Sequence, residues 1–201
     1  MYAVTPSVGA VRPVARATVP YGLGRRLHGQ ALTEFALVMP LLMFALLGVF
    51  DAGVLMFGVA TSDFAVGEGA RVGAEVGNAA DADAQIIQAI QITALHQPFV
   101  QVNEIDIYRL NEDPITGKLT ADAAGCGGKA CMNKYDANGS PLVGFNPEPW
   151  VSSTRNVTNG ASDFLGVTIS YQYNWKSGVL LVAQPLPLVS SYTVRLEPQT
   201  Y

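Results

Sequence analysis

Residues 30–60 read QALTEFALVMPLLMFALLGVFDAGVLMFGVA. No charged residue occurs between Phe35 and Phe50. As a helix, that piece alone covers about 24 Å at about 1.5 Å per residue. With Val54, Leu55, Met56, Phe57 and Val59 the run exceeds the roughly 20 residues that cross a bilayer. It is apolar on all sides, so a single buried stripe does not account for it. The sequence therefore predicts one membrane-crossing helix. Two acids bracket its core, Glu34 at the start and Asp51 about 25 Å further along a helix. Asp51 reads as an interface residue in reach of water; Glu34 depends on what precedes it.

Arg12, Arg16, Arg25 and Arg26 all lie before the run, and no acid precedes Glu34. Positive charge beside a spanning helix stays in the cytoplasm. This predicts a single-pass inner-membrane protein with a cytoplasmic N-terminus and an extracytoplasmic head. The run starts too late and is too long for an ordinary secretory signal. Gly58-Val59-Ala60 loosely fits a signal cleavage site, but Asp51 inside the preceding apolar core counts against it. Residues 1–28 show no period and contain Pro6, Pro13 and Pro20, as in a disordered leader.

The leader ends in Arg25-Arg26-Leu27-His28-Gly29, followed by Gln30-Ala31-Leu32-Thr33-Glu34-Phe35. This junction resembles pilin precursors cut by a prepilin peptidase, with the cut after Gly29 and Glu34 at the fifth mature position. Across about residues 29–75 the text is similar to the TadE-like minor pseudopilins of the tight-adherence pilus. The shared elements are Gly29-Gln30, Glu34-Phe35, Pro40 and the Gly48-Val49-Phe50-Asp51-Ala52-Gly53 turn. One departure is that Leu27 and His28 separate the arginines from Gly29, where many relatives place a base directly. The resemblance implies a prepilin peptidase, other pilins and pseudopilins, and an inner-membrane assembly platform with its ATPase as partners, beside membrane lipid. It also implies that Glu34 pairs with the amine of a neighbouring subunit, here on Gln30, and that Phe35 and Asp51 belong to the assembly segment.

The expected organisation is a cleaved basic leader (1–29), a transmembrane helix with a juxtamembrane extension (30–78) and an α+β head (79–201). In the extension, Ala65, Gly69, Gly73 and Gly77 share an i,i+4 face that would let another helix approach closely. Each Gly also weakens a helix by about 1 kcal/mol, so a looped segment competes with that reading. Glu68 and Arg71 are spaced to pair on the solvent side. Residues 81–97 read as a soluble helix with Ile86, Ala89, Ile90, Thr93 and Ala94 at helical spacing, ended by Pro98.

Period-two alternation marks strands at 102–110, 164–175 and 191–197. In the first, Ile105 and Ile107 oppose Glu104 and Asp106. In the second, Val167, Ile169, Tyr171, Tyr173 and Trp175 alternate with polar residues. In the third, Tyr192, Val194 and Leu196 oppose Thr193 and Arg195. A helix packed on an antiparallel sheet of three or more strands is an α+β layer of pilin-like type. Residues 178–189, GVLLVAQPLPLV, read as an apolar connection that caps the core or faces a partner or the membrane surface. Residues 111–163 read as a long irregular region punctuated by the turn signals Asp113-Pro114, Thr116-Gly117 and Asn138-Gly139.

Chemistry-bearing motifs are sparse. Cys126 and Cys131 are the only cysteines, and outside the cytoplasm their closeness predicts a disulfide, with free thiols the alternative. A zinc site would need two more ligands. Asp136-Ala137-Asn138-Gly139 starts like a calcium loop but lacks its closing acid, so a hairpin turn is expected. No G-x-S-x-G, H-E-x-x-H or phosphate loop occurs; His28 lies in the leader and His96 has no evident acid partner. No enzyme activity, metal or cofactor is expected, and a formal net charge of −4 argues against nucleic acid. The function expected is assembly of a pilus; a permanently membrane-anchored extracytoplasmic binding module is the alternative.

Overall fold

The computed structural model describes residues 9, 26–94, 100–175 and 184–198. The expectations for the leader, for His96 and Pro98, and for most of 178–189 lie outside these residues. By internal contacts the chain divides into two units, Met1–Met43 and Phe44–Tyr201. The described part of the first is helical from Arg26, and its side chains from Gly29 to Met43 are all exposed. The helix of which it is part, α1 (Arg26–Val76), is 51 residues long and contains Pro40. Among the described residues it is the one helix long and apolar enough to cross a membrane, with a window of mean hydropathy 2.2.

The second unit is an α+β domain. Here α1 and α2 (Ala82–Ala94) cover one face of an antiparallel sheet of five strands. These are β1 (Val100–Glu112), β2 (Leu119–Ala121), β3 (Met132–Tyr135), β4 (Phe164–Tyr173) and β5 (Leu186–Arg195). Central β1 pairs with β4 along nearly its whole length. Its other edge is shared end to end, with β3 opposite Ile105 to Tyr108 and β2 opposite Leu110 to Glu112. β4 in turn pairs with β5, which closes that side of the sheet.

Alternating side chains divide the sheet as the period-two pattern predicts. Ile105, Ile107, Leu165, Val167, Ile169 and Tyr171 are buried under the helices. Burying a side chain of this size stabilises a fold by about 1.5–3 kcal/mol. Glu104, Asp106, Thr168, Ser170 and Gln172 fall on the other face, which is partly wet. The parity changes once. Val100 and Val102 are buried along with Ile105 and Ile107, because a register shift between Val102 and Glu104 inserts a residue.

Two expectations need correction, and one that was open is decided. Residues 111–163 are not wholly irregular: they hold β2, β3 and a short 3₁₀ turn, Ser152–Thr154. β2 and β3 are only 3 and 4 residues long, too short for alternation to register in the sequence. The third strand starts at Leu186, not 191, so the last part of the apolar connection belongs to the sheet. Pro187 is tolerated there because β5 is an edge strand, where a ladder donor can be missing. The juxtamembrane extension, open between helix and loop, is helical to Val76. Gly77 then ends it at φ 55°, its N–H donating to Gly73 O at 3.1 Å.

Candidate assembly surface and the polar centre of the head

Within the first unit the expected processing and assembly residues form a local arrangement. Gly29 has open space around it. Gln30 Nε2 donates to Glu34 Oε1 at 3.1 Å, one helical turn on, and Thr33 Oγ1 donates to Gln30 O at 2.8 Å. Phe35 is 59% exposed, and Leu37, Leu41 and Leu42 beside it are exposed as well. Such an apolar surface is stable only in lipid or against other helices.

In the second unit α1 is exposed from Phe44 to Phe50 except at half-buried Leu47, and from Asp51 on the head covers one face of it, with Met56, Phe57 and Phe64 still exposed. Asp51 is 2% exposed. The Tyr173 hydroxyl, at the end of β4, donates to the Asp51 backbone carbonyl at 3.4 Å. A Cβ added at Gly58 would meet Val100 Cγ2 at 3.0 Å. The small-residue face follows. A Cβ at Gly69 would lie 2.6 Å from Ile90 Cγ1, and one at Gly73 would overlap Leu165 and lie 2.9 Å from Ile86 Cδ1. The helix that approaches Gly69 and Gly73 in this structure is thus the chain's own α2, while Gly77 terminates α1. On the opposite side Arg71 bridges Glu68 and Glu75 at 2.8 and 2.9 Å.

Cys126 and Cys131 are joined in a disulfide. Cys131 is buried beside Asp122, whose carboxylate binds the Arg109 guanidinium and accepts from Gly125 N–H at 2.8 Å. The Arg109 hydrogen bond holds the Asp122 carboxyl below its ordinary value, against the opposing effect of burial. At the Asn138-Gly139 turn, Asp136 Oδ1 accepts from Asn138 and Ser140 N–H at 2.9 and 2.8 Å. Its carboxylate therefore organises a turn, in which Gly139 takes φ 85°.

A buried polar centre was not anticipated. Asp83, in the first turn of α2, is 5% exposed and binds the guanidinium of Arg155. It also accepts from Asn133 Nδ2 at 2.7 Å, and the Tyr135 hydroxyl lies 2.8 Å from its Oδ2. That hydroxyl is equally within reach of Glu148 Oε1, at 2.7 Å. Burial, then the charge of Asp83 and contact with Glu148, push the Tyr135 phenol well above its ordinary value. Arg155 stacks on Trp150 at 4.3 Å, and Asn133 bonds both N–H and C=O of Trp150. One signal was readable: Asp83 lies on the stripe of Ile86, Ile87 and Ile90, where a carboxylate needs a buried partner. The partners are 50 to 72 residues away and carry no motif.

Gly29, Glu34 and the exposed apolar residues after them thus lie on one long helix, the same helix that carries Asp51. Residues 29–71 match the family described as TadE-like protein. The chain carries a TadE-like N-terminal segment. The match ends inside the part of α1 covered by the head, and neither a curated protein nor a solved structure matches the chain. The TadE-like segment supports a protein associated with the tight-adherence pilus, and among the described residues its long apolar helix has the length and composition of a membrane anchor.

Proposed function

We propose that this protein is a minor pseudopilin acting in assembly of a tight-adherence pilus. In this reading a prepilin peptidase cuts after Gly29 on the cytoplasmic side. The helix then packs against other pilins or pseudopilins on the assembly platform, and the head lies outside the cytoplasm. The observation that carries the proposal is the exposed apolar helix from residue 29 to 50, with Gln30 and Glu34 one turn apart at its start. A carboxylate deep in lipid costs about 3 kcal/mol, and less near the edge. A neighbouring subunit's amine, created on Gln30 by the cut, would neutralise it when helices pack, and would set their axial register.

Mass spectrometry of the protein from peptidase-competent cells tests the first step. The expected mature chain starts at Gln30; an intact leader would favour a permanently anchored binding module instead. Glu34→Gln tests the second. It should leave membrane insertion and protease resistance of the head unchanged while reducing co-purification with pilus components. Normal assembly of Glu34→Gln rules out the pairing.

A further inference from the structure

We infer that the free edge of β5 takes up an extended, basic segment of another protein as an added strand, with an apolar side chain of that segment seated beside Tyr192. Every residue of this site lies in the second unit, so the site is independent of the anchoring and processing proposed for residues 29–50.

The backbone of β5 is open in a definite pattern. Leu196 N–H donates to Asp163 O at 2.9 Å, one step past the Phe164–Arg195 pair. Opposed residues of an antiparallel ladder alternate between bonded and non-bonded pairs, so Leu165–Val194, Val167–Tyr192 and Ile169–Ser190 are the bonded ones. Arg109 agrees with this phase. It lies opposite Leu165, and its N–H donates away from β4, to Cys131 O at 2.9 Å. The N–H and C=O groups of Val189, Ser191, Thr193 and Arg195 therefore point away from β4, and no described strand pairs with them. Pro187, which has no N–H to offer, falls on the same open side. Long edges are usually blunted by a charge or a bulge. β5 pairs with β4 over 10 residues without a register shift, and the stretch from Val189 to Thr193 carries no charge.

A groove runs beside this edge. It measures about 420 Å³ and lies between β5 and α1, lined by Phe64, Gly67, Tyr192 and Val194. Phe64 and Tyr192 are 65% and 52% exposed. Gly67 has no side chain to fill the space; a Cβ there would lie 3.9 Å from Tyr192 Cδ2. An added strand puts alternate side chains on this face, so one of them enters the groove.

The charge of the rim selects the occupant. Asp63, Glu68 and Glu197 also line the groove, with Arg71 the one base among these described residues. Arg71 is already held by Glu68 and Glu75 at 2.8 and 2.9 Å. Arg195 is engaged elsewhere, donating to Gly160 O at 2.9 Å and lying over the Phe164 ring. This balance favours Lys or Arg on the incoming segment. It opposes anionic headgroups, and it opposes a second copy of the chain, which would set its own acids against these.

The test pans the full chain, in a zwitterionic detergent, against a displayed library of random nonapeptides. Selected peptides are then remade and their affinities measured by fluorescence anisotropy. The expected consensus alternates, with an apolar residue and a Lys or Arg on the same face. Thr193→Pro removes one open N–H and no bonded pair, so it should weaken binding about tenfold with the urea midpoint unchanged. Asp63→Asn with Glu197→Gln changes two exposed side chains and should weaken basic peptides by about fivefold and reduce their salt dependence. Methylating alternate nitrogens of a selected peptide should abolish its binding. If Thr193→Pro lowers the urea midpoint, the Asp63 and Glu197 variant and the methylated peptide decide. No enriched peptide, a consensus without a base, or binding indifferent to these changes overturns the inference. Dimers of the wild-type chain by light scattering that Thr193→Pro dissociates would make a second copy the occupant, and overturn it as well. None of these outcomes bears on the cut after Gly29 or on Glu34.

Discussion

Gly73 of α1 and Leu165 of β4 pack so closely that no methyl group fits between them; an added Cβ would overlap Leu165 and lie 2.9 Å from Ile86 Cδ1. Helix α1 is thus seated on the sheet and on α2 through a position with no side chain. Gly73→Ala should destabilise the head by about 1–3 kcal/mol, the usual cost of overpacking. Gly53→Ala has open space around it and should be neutral or slightly stabilising, since Ala favours a helix over Gly by about 1 kcal/mol. Urea unfolding of the detergent-solubilised chain compares them; equal midpoints would contradict the packing.

Asp83 and Arg155 form an ion pair at the polar centre, with side chains 7% and 0% exposed. Removing one partner leaves the other charge buried. Asp83→Ala should therefore cost about 3–5 kcal/mol, and Arg155→Met a comparable amount. Replacing both with apolar residues, Asp83→Leu with Arg155→Met, should cost less than the sum. Glu68→Ala breaks only an exposed contact and should change stability by about 0.5 kcal/mol or less. A double-mutant cycle by chemical denaturation measures the coupling; additive single effects would refute it.

Stability should also depend on Asp106. Burial and the neighbouring Glu104 push its carboxyl up to about 6, with Lys134 opposing. The folded state then keeps a proton that the unfolded chain releases near pH 4. Stability from this group is present below pH 4 and is lost as pH rises from about 4 to about 6. Glu104 is shifted down by its hydrogen bond to Lys134, and its contribution runs the other way, lost as pH falls. Asp106→Asn should flatten the loss across pH 4–6 and raise stability at neutral pH, by on the order of 1 kcal/mol after solvent screening. Thermal melts across that range decide the matter; an unchanged slope in the variant would remove Asp106 as the cause.

The disulfide Cys126–Cys131 closes a short loop, with a sequence separation of 5. Its effect on the unfolded chain is about 2 kcal/mol in the loop-entropy view. Reduction, or the double variant Cys126→Ser with Cys131→Ser, should lower head stability by about that amount without unfolding it. Thiol labelling of native protein without reductant should find neither cysteine. Quantitative labelling of both would contradict the bond.

The sequence by itself determined those elements whose physics is local. An apolar run without a stripe predicts the first part of α1 as one long helix, because a surface apolar on every side suits lipid or other helices and not a single buried face. Strict alternation predicts β1 and β4, because each has one core face and one wet face. The cysteine spacing predicts the disulfide, and Asn138-Gly139 predicts a turn. Tertiary structure decided whatever depends on partners distant in sequence. The bulge after Val102 exists because β1 must match β4. Strands β2 and β3 exist because β1 offers an open edge, and their own 3 and 4 residues carry too little pattern. Pro187 lies in a strand only because β5 is at an edge. The small face of α1 could seat any helix; that α2 fills it follows from Gly77 turning the chain back, with Ile86 and Ile90 facing Gly73 and Gly69. Asp51 reads as an interface residue from composition, but its burial follows from where Tyr173 ends β4. The Asp83 centre draws Asn133, Tyr135, Trp150 and Arg155 from separate segments, so only folding could reveal which groups compensate a carboxylate on an apolar stripe.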